Sequence, residues 1–120
     1  GRDLRDVQAA AEAGNEDAEL TIRAYCYSIK KYIGAYAAAM GGLDAIVFGG
    51  GIGLGSALVR AMSLEGLEFL GVKLDGFKNR MAIAGMDLSM DDAPVRVFAV
   101  HTDVEIIVAR KAAALLTGIQ

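Results

Sequence analysis

The sequence predicts an α/β fold in which a few, mainly parallel strands are packed by helices. Apolar residues make up 54% of the 120 residues, and 15 glycines raise the combined share to about two-thirds. The same count is about 45–50% in an ordinary soluble domain. Two segments with helical periodicity precede a short apolar run that is typical of a strand covered on both faces. The alternation of helix and strand patterns that follows favours parallel pairing.

Composition and charge exclude several classes of protein. The high apolar share rules out intrinsic disorder. The longest uncharged segment, residues 45–59, has 15 residues, whereas a membrane-spanning helix needs about 20 apolar residues. The net charge of −3, without a basic stripe, argues against nucleic-acid binding.

Because Cys26 is the single cysteine, we expect a core thiol and no thiolate metal cluster. No signal peptide is visible, and a cytoplasmic location is expected.

The N-terminal part predicts two helices. Residues 2–13 form the first, and Gly14 ends it because glycine adopts positive φ without strain. Asn15 caps the second helix, which ends at Gly41. The apolar face of this second helix recurs every three or four residues, at Ile22, Cys26, Ile29, Ile33, Ala37 and Met40. A second stripe contains Tyr25, Tyr32 and Tyr36. Residues 34–40 carry no charge, so we expect burial on every side there.

A strand, a glycine loop and a helix follow. Residues 44–48, in which Asp44 is followed by four apolar residues, predict a buried strand. The loop runs from Gly49 to Gly55, and Ser56 begins a helix that reaches about Met62. Backbone N–H groups of such a loop, together with the start of the helix, favour a phosphate group. The segment is therefore a candidate anion site.

Three interpretations of the glycine loop remain open on the pattern alone. It is a tight turn without a ligand, a nucleotide phosphate site, or a dinucleotide site. The Walker pattern is absent, because no Gly-Lys-Ser/Thr follows. In the dinucleotide interpretation, Gly51 and Gly53 are the first two glycines of the fingerprint and Ser56 takes the place of the third. Asp75 would then bind the ribose.

The remaining residues predict short strands and a final helix. Possible strands lie at residues 71–75 and 82–88, within and beside a loop-like stretch, and residues 94–100 alternate as a strand does. Residues 102–105 fit a capping box, with a hydroxyl at the N-cap and a glutamate three positions later. A last helix is therefore expected from residue 102 to residue 117.

Two or three strands make a small sheet for so apolar a chain. A small domain also leaves about a third of its chain surface exposed, so much apolar surface remains for a partner. We therefore expect residues 1–120 to be a single domain fragment of a larger α/β protein.

Five segments resemble the acetate kinase family in order from Asp3 to about Arg110; they are residues 2–6, 31–39, 42–48, 65–71 and 102–110. The resemblance implies the C-terminal domain of an actin/sugar-kinase/heat-shock-type ATPase fold. It implies transfer of phosphate from ATP to acetate, giving ADP and acetyl phosphate, with magnesium as the cofactor. It also implies a homodimer, or contact with the remainder of the kinase chain.

The resemblance carries over to particular residues. Those matching the nucleotide-binding segments are Asp3, Leu4, Arg5, Gly51, Ile52, Gly53, Leu54 and Gly55. Leu54 and Gly55 replace a glutamate and an asparagine of the family, so polar contacts are lost. Val104 stands where the family has the glutamate that serves magnesium. Glu105 matches the next glutamate and also fits the capping box, and His101 replaces a common proline. We expect no catalytic residue and no metal ligand in this chain.

Three hypotheses about function follow. In the first, the chain is the C-terminal nucleotide-binding part of an acetate kinase-like phosphotransferase. It is inactive alone, because phosphoryl transfer needs positioned cations that the family carries upstream. In the second, the chain is a structural or dimerisation remnant that no longer binds nucleotide, which Leu54, Gly55 and Val104 favour. In the third, it is a Rossmann-type dinucleotide-binding module.

Overall fold

The computed structural model describes residues 4–50, 55–110 and 113–116. Within these residues, no helix has both the length and the apolar content needed to cross a membrane. The helices and strands are α1 (Leu4–Glu12), α2 (Glu16–Met40), β1 (Ala45–Phe48), α3 (Ala57–Leu64), a 3-10 turn (Glu68–Leu70), α4 (Gly76–Met81), β2 (Arg96–Ala99), β3 (Ile106–Arg110) and β4 (Ala113–Leu116). The predicted α/β class is confirmed.

The two N-terminal helices lie where the sequence predicts them. The side chain of Asn15 accepts a hydrogen bond from the Ala18 N–H at 3.0 Å, which caps α2. Gly41 ends α2 with a φ of 74°, a conformation that favours glycine. The buried side chains of α2 are Ala18, Ile22, Cys26, Ile29, Ile33 and Ala37. The helical period therefore identified the buried face of α2 correctly.

Burial around the whole circumference of α2 at residues 34–40 is not observed. Ala35, Ala38 and Ala39 are exposed, and Met40 is half-buried. The elements that pack on α2 are α1, α3 and β3, and they leave this alanine face uncovered. An uncharged sequence allows burial on every side, but burial also requires a neighbouring element, and a periodicity argument does not supply one.

The four strands form one mixed sheet in the order β2-β1-β3-β4. β1 pairs with β2 in parallel, with Val47 opposite Phe98. β1 pairs with β3 in the antiparallel sense, and β3 with β4 likewise. The expectation of mainly parallel strands is therefore wrong, since two of the three pairings are antiparallel. The cause is the segment after residue 105, which returns as strands and not as a helix.

The predicted helix at residues 102–117 is absent from the described residues of that range. Ile106, Ile107 and Val108 are β-branched and favour strands. Ile106 and Val108 are fully buried while Ile107 is not, which is the two-residue period of a strand. The edge of β1 that β2 leaves unpaired offers hydrogen-bond partners to this segment. Tertiary pairing thus outweighs the local capping-box signal, and residue 117 lies outside the described residues.

The middle of the chain contains less strand and more helix than predicted. Residues 71–75 and 82–88 contribute only single bridges, among them Val72 to Val95 and Asp87 to Phe98. The loop-like stretch contains α4.

Arg96 organises the neighbouring loop, because its Nε lies 2.8 Å from Asp87 Oδ2. Partial burial raises the pKa of Asp87, but hydrogen bonds from Arg96 and Ser89 outweigh this and hold that pKa below its usual range.

The core is one contiguous cluster of buried side chains in which α2 and α3 meet the sheet. It includes the fully buried Phe48, Ile29, Ile106 and Val59. Burial of each such side chain contributes about 1.5–3 kcal/mol. Arg60 of α3 is also only 1% exposed. The core therefore contains a cation that must be satisfied by hydrogen bonds.

The buried cation links α3 to α4. Arg60 Nε donates to Asn79 Oδ1 at 2.7 Å, and Arg60 Nη2 donates to the Asn79 carbonyl oxygen at 2.9 Å. Asn79 Nδ2 donates in turn to the Ala57 carbonyl oxygen at 2.9 Å. Burial lowers the pKa of the Arg60 guanidinium. This network fixes α3, the helix that begins directly after the glycine loop.

Candidate functional site at the end of β1

The chain leaves β1 through two glycines that rest on the segment before β3. Gly49 N donates to the Glu105 carbonyl oxygen at 2.7 Å, and Gly50 N donates to the Thr102 carbonyl oxygen at 2.7 Å. A Cβ atom at position 49 would lie 2.0 Å from Thr102 Cγ2 and 2.3 Å from the Val104 carbonyl oxygen. These distances are far inside van der Waals contact, so only glycine permits this approach.

The second of these glycines has a different requirement. Gly50 has a φ of +58°, which side chains rarely adopt, and a Cβ there would lie 2.9 Å from Glu105 Cγ. The two glycines therefore fix the direction in which the backbone leaves β1. Residues 102–105 form the surface on which these two glycines pack.

The loop ends at the start of α3. Ser56 Oγ accepts a hydrogen bond from the Val59 N–H at 3.1 Å and donates to Gln8 Oε1 of α1 at 2.7 Å. Ser56 is thus both the N-cap of α3 and the contact between α3 and α1. Backbone N–H groups at a helix start, and the helix dipole, favour an anion.

The predicted site residues divide into two groups. Those outside the described residues are Asp3, Gly51, Ile52, Gly53 and Leu54. Among the others, Leu4 starts α1 and packs partly against the core. Arg5 and Gly55 are exposed. Arg5 lies about one helical turn before Gln8, so the Gln8–Ser56 hydrogen bond brings the start of α1 close to the end of the loop.

A side chain from α2 reaches this site and was not among the predicted site residues. Tyr25 Oη donates to Glu105 Oε2 at 2.8 Å. Burial and the adjacent Glu105 carboxylate raise the pKa of the Tyr25 phenol well above its usual value, so the hydroxyl keeps its proton and remains a donor. No local pattern predicts this pair, because 80 residues separate its members.

The described residues do not fit a magnesium site. Val104 offers no side-chain ligand, and the Glu105 carboxylate is held by Tyr25. Across residues 4–50, 55–110 and 113–116, no three His, Cys, Asp or Glu side chains lie close enough together to hold a metal ion. His101 is exposed just after β2. We therefore derive no chemical step through a metal bound by these residues.

Asp75 does not serve the role that the dinucleotide hypothesis gives it. Its Oδ1 accepts a hydrogen bond from the Lys78 N–H at 3.0 Å and caps α4. The Asp75 carboxylate is thus already engaged at a helix start, and Asp75 follows none of the four strands of the sheet. The geometry therefore withdraws the main support from the Rossmann-type interpretation.

An open groove of about 700 Å³ lies between α1, α3 and α4. Its charged lining residues are Glu12, Glu65, Glu68 and Arg80. Three carboxylates against one guanidinium would repel a polyphosphate. The start of α3, where the helix dipole favours an anion, suits a phosphate-bearing ligand better than this groove does.

Comparison with known sequences gives a consistent result. The sequence model of the Acetokinase family matches residues 1–110. Acetate kinase from Bacteroides fragilis is 50% identical over 114 residues, which cover 95% of this chain and 29% of that protein. Acetate kinase from Clostridium botulinum is 44% identical over 108 residues, covering 90% and 27% of the two chains. The chain thus spans less than a third of the length of these relatives.

Solved structures agree with the sequence matches. The crystal structure of Porphyromonas gingivalis acetate kinase superposes with a TM-score of 0.78 at 42% identity, covering 84% of this chain and 26% of that one. A propionate kinase from Francisella tularensis gives a TM-score of 0.73 at 27% identity, covering 82% and 25%. Both comparisons cover most of this chain and a minor part of the relative.

Proposed function

Because the chain belongs to the acetokinase family, we propose that it is the C-terminal nucleotide-binding part of an acetate kinase-like phosphotransferase. The parent reaction transfers phosphate from ATP to acetate and yields ADP and acetyl phosphate. In this proposal residues 1–120 are one domain fragment of a cytoplasmic enzyme and hold no catalytic residue. The observation that supports it is the close approach of Gly49 and Gly50 to residues 102–105, in a chain segment whose glycine-rich sequence ends at the capped start of α3.

Two segments would bind the nucleotide together. Residues 51–55 would present backbone N–H groups, since glycines allow a phosphate or sugar to approach the backbone closely. Asp3, Leu4 and Arg5 at the start of α1 would contact the nucleotide from the other side. The Gln8–Ser56 hydrogen bond supports this arrangement, because it holds α1 against the helix that follows the loop.

The departures from the family weaken this half-site. Leu54 and Gly55 remove a carboxylate and an amide, and each lost hydrogen bond lowers affinity by about tenfold. In the proposal magnesium arrives with the nucleotide phosphates, because the described residues offer it no cluster of ligands. We therefore expect weak binding of the magnesium–nucleotide complex.

Calorimetric titration of the purified chain with Mg·ADP tests the proposal. We expect saturable binding that Gly53→Val weakens by at least tenfold, because a β-branched side chain would obstruct the loop. Gly34→Ala is the matched control and should leave binding unchanged, since nothing lies within 4 Å of a Cβ there. No heat at millimolar nucleotide would contradict the proposal.

We expect the chain alone to form no acetyl phosphate. Phosphoryl transfer depends on cations positioned around the transferred group, and in this proposal those cations lie outside the chain. The measurement is the hydroxamate assay with ATP, magnesium and acetate, run beside a buffer blank and a complete acetate kinase. Acetyl hydroxamate above the blank would show that the chain carries a full active site.

A structural or dimerisation role is the second candidate, and one observation favours it. Large apolar side chains are exposed at Leu20, Tyr27, Phe69, Phe77 and Ile83, each by more than 60%. A second copy of the chain, or the remainder of the kinase chain, would cover such surface in this candidate. The Mg·ADP titration separates the two, because a remnant without a nucleotide site gives no saturable heat.

A further inference from the structure

We propose that Tyr25 is a positioning residue for Gly49 and Gly50, the two glycines that follow β1. Through its hydrogen bond to Glu105, Tyr25 holds residues 102–105 against Gly49 and Gly50. The effect on nucleotide binding rests on the proposed function. The effect on the backbone of Gly49 and Gly50 does not, and it is measured separately below.

Tyr25 is anchored well enough to fix a partner. It lies in the 25-residue helix α2, between the buried Ile22 and Cys26. Its ring is half-buried against the core, so its hydroxyl has few alternative positions. The raised pKa of the phenol means that the hydroxyl remains a donor over the working pH range.

Glu105 connects Tyr25 to the backbone of Gly49. Its carboxylate accepts from Tyr25, while its backbone carbonyl oxygen accepts from Gly49 N. Within residues 102–105, the Thr102 hydroxyl accepts a long hydrogen bond of 3.5 Å from the Val104 N–H. Pairing to β1 holds the chain on both sides of this segment, and Tyr25 adds the side-chain hydrogen bond that holds Glu105 beside Gly49.

Because Gly49 packs closely on residues 102–105, a shift of that segment would displace the backbone of Gly49. The Val104 carbonyl oxygen and the Thr102 methyl group lie directly against Gly49. If the segment moves away, the hydrogen bonds of Gly49 and Gly50 lengthen, and the backbone leaves β1 in another direction.

The first test is amide hydrogen exchange in the Tyr25→Phe variant of the full chain. We expect exchange at Gly49 and Gly50 to accelerate by about tenfold, the upper value for one hydrogen bond. Asp44 N, which donates to the Ala109 carbonyl oxygen at the other end of β1, is the internal control and should not change. Equal acceleration at Asp44 would reveal general destabilisation and overturn the proposal.

Matched variants separate positioning from simple loss of a hydroxyl. Tyr36→Phe removes a hydroxyl from the same helix, about 16 Å further along its axis, and should leave Gly49 and Gly50 unchanged. Glu105→Gln keeps an acceptor for Tyr25 and should preserve most of the protection, whereas Glu105→Ala should match Tyr25→Phe. If Tyr36→Phe acts like Tyr25→Phe, or if Glu105→Gln acts like Glu105→Ala, the proposal fails.

The second test is titration of the same variants with Mg·ADP. If the unchanged chain binds, Tyr25→Phe should weaken binding by at least tenfold and Glu105→Gln by less than threefold. If Glu105→Gln abolishes binding while exchange at Gly49 stays slow, the carboxylate acts on the metal and the positioning role is wrong. If the unchanged chain does not bind, the proposed function fails, and the exchange rates alone decide on Tyr25.

Discussion

Replacing Gly49 by alanine is expected to lower the free energy of unfolding by about 3 kcal/mol, at the upper end for an overpacked site. The added Cβ would lie 2.0 Å from Thr102 Cγ2 and 2.3 Å from the Val104 carbonyl oxygen. A backbone oxygen cannot rotate away as the end of a side chain can. Residues 102–105 must therefore move, and the affinity for any nucleotide should decrease as a result. Urea unfolding and Mg·ADP titration measure the two effects.

Gly34→Ala is the control for the Gly49 prediction. Position 34 lies inside α2, and a Cβ added there would have no neighbouring atom within 4 Å. Alanine there should raise the free energy of unfolding by about 1 kcal/mol, because glycine is the poorer helix former. If both substitutions change stability equally, close approach at Gly49 does not explain the effect.

The second large effect is expected for Asn79→Ala, which should lower the free energy of unfolding by about 3 kcal/mol. The substitution removes the acceptor of Arg60 Nε and the donor to the Ala57 carbonyl oxygen, both in a buried site. Arg80→Ala on the same helix is the control and should change stability by less than about 0.5 kcal/mol, since Arg80 is exposed. Urea unfolding measures both variants.

A double-mutant cycle tests the cause of the Asn79 effect. Arg60→Met removes the buried cation, so the combination of Arg60→Met with Asn79→Ala should cost less than the sum of the two single changes. A coupling of about 1–3 kcal/mol is expected for groups in direct contact. Strict additivity would mean that the two side chains do not depend on each other.

Local sequence patterns predicted the elements whose signals need no distant partner. The cap at Asn15, the positive φ at Gly41 and the apolar face of α2 all follow from neighbours within a few residues. β1 follows from a continuous apolar run, and α3 from the N-cap at Ser56. The family resemblance, read from five ordered segments, was confirmed because it too depends on sequence alone.

The prediction for residues 102–117 was wrong for the opposite reason. The capping-box pattern at residues 102–105 is local, and a helix is its usual outcome. Strand β3 forms because β1 presents an unpaired edge to it, and Glu105 turns to Tyr25, which lies 80 residues away. Neither partner is visible from the segment itself, so no reading of those four residues could have predicted the sheet.

The sequence by itself determined the class of fold, the position of the early helices and β1, and membership of the acetokinase family. Only the tertiary structure decided the strand order, the seating of Gly49 on residues 102–105, the buried pair of Arg60 and Asn79, and the bond between Tyr25 and Glu105. The physical reason is the sequence separation of the interacting residues. Periodicity and capping act over one or two helical turns, whereas these contacts join residues that only the folded chain brings together.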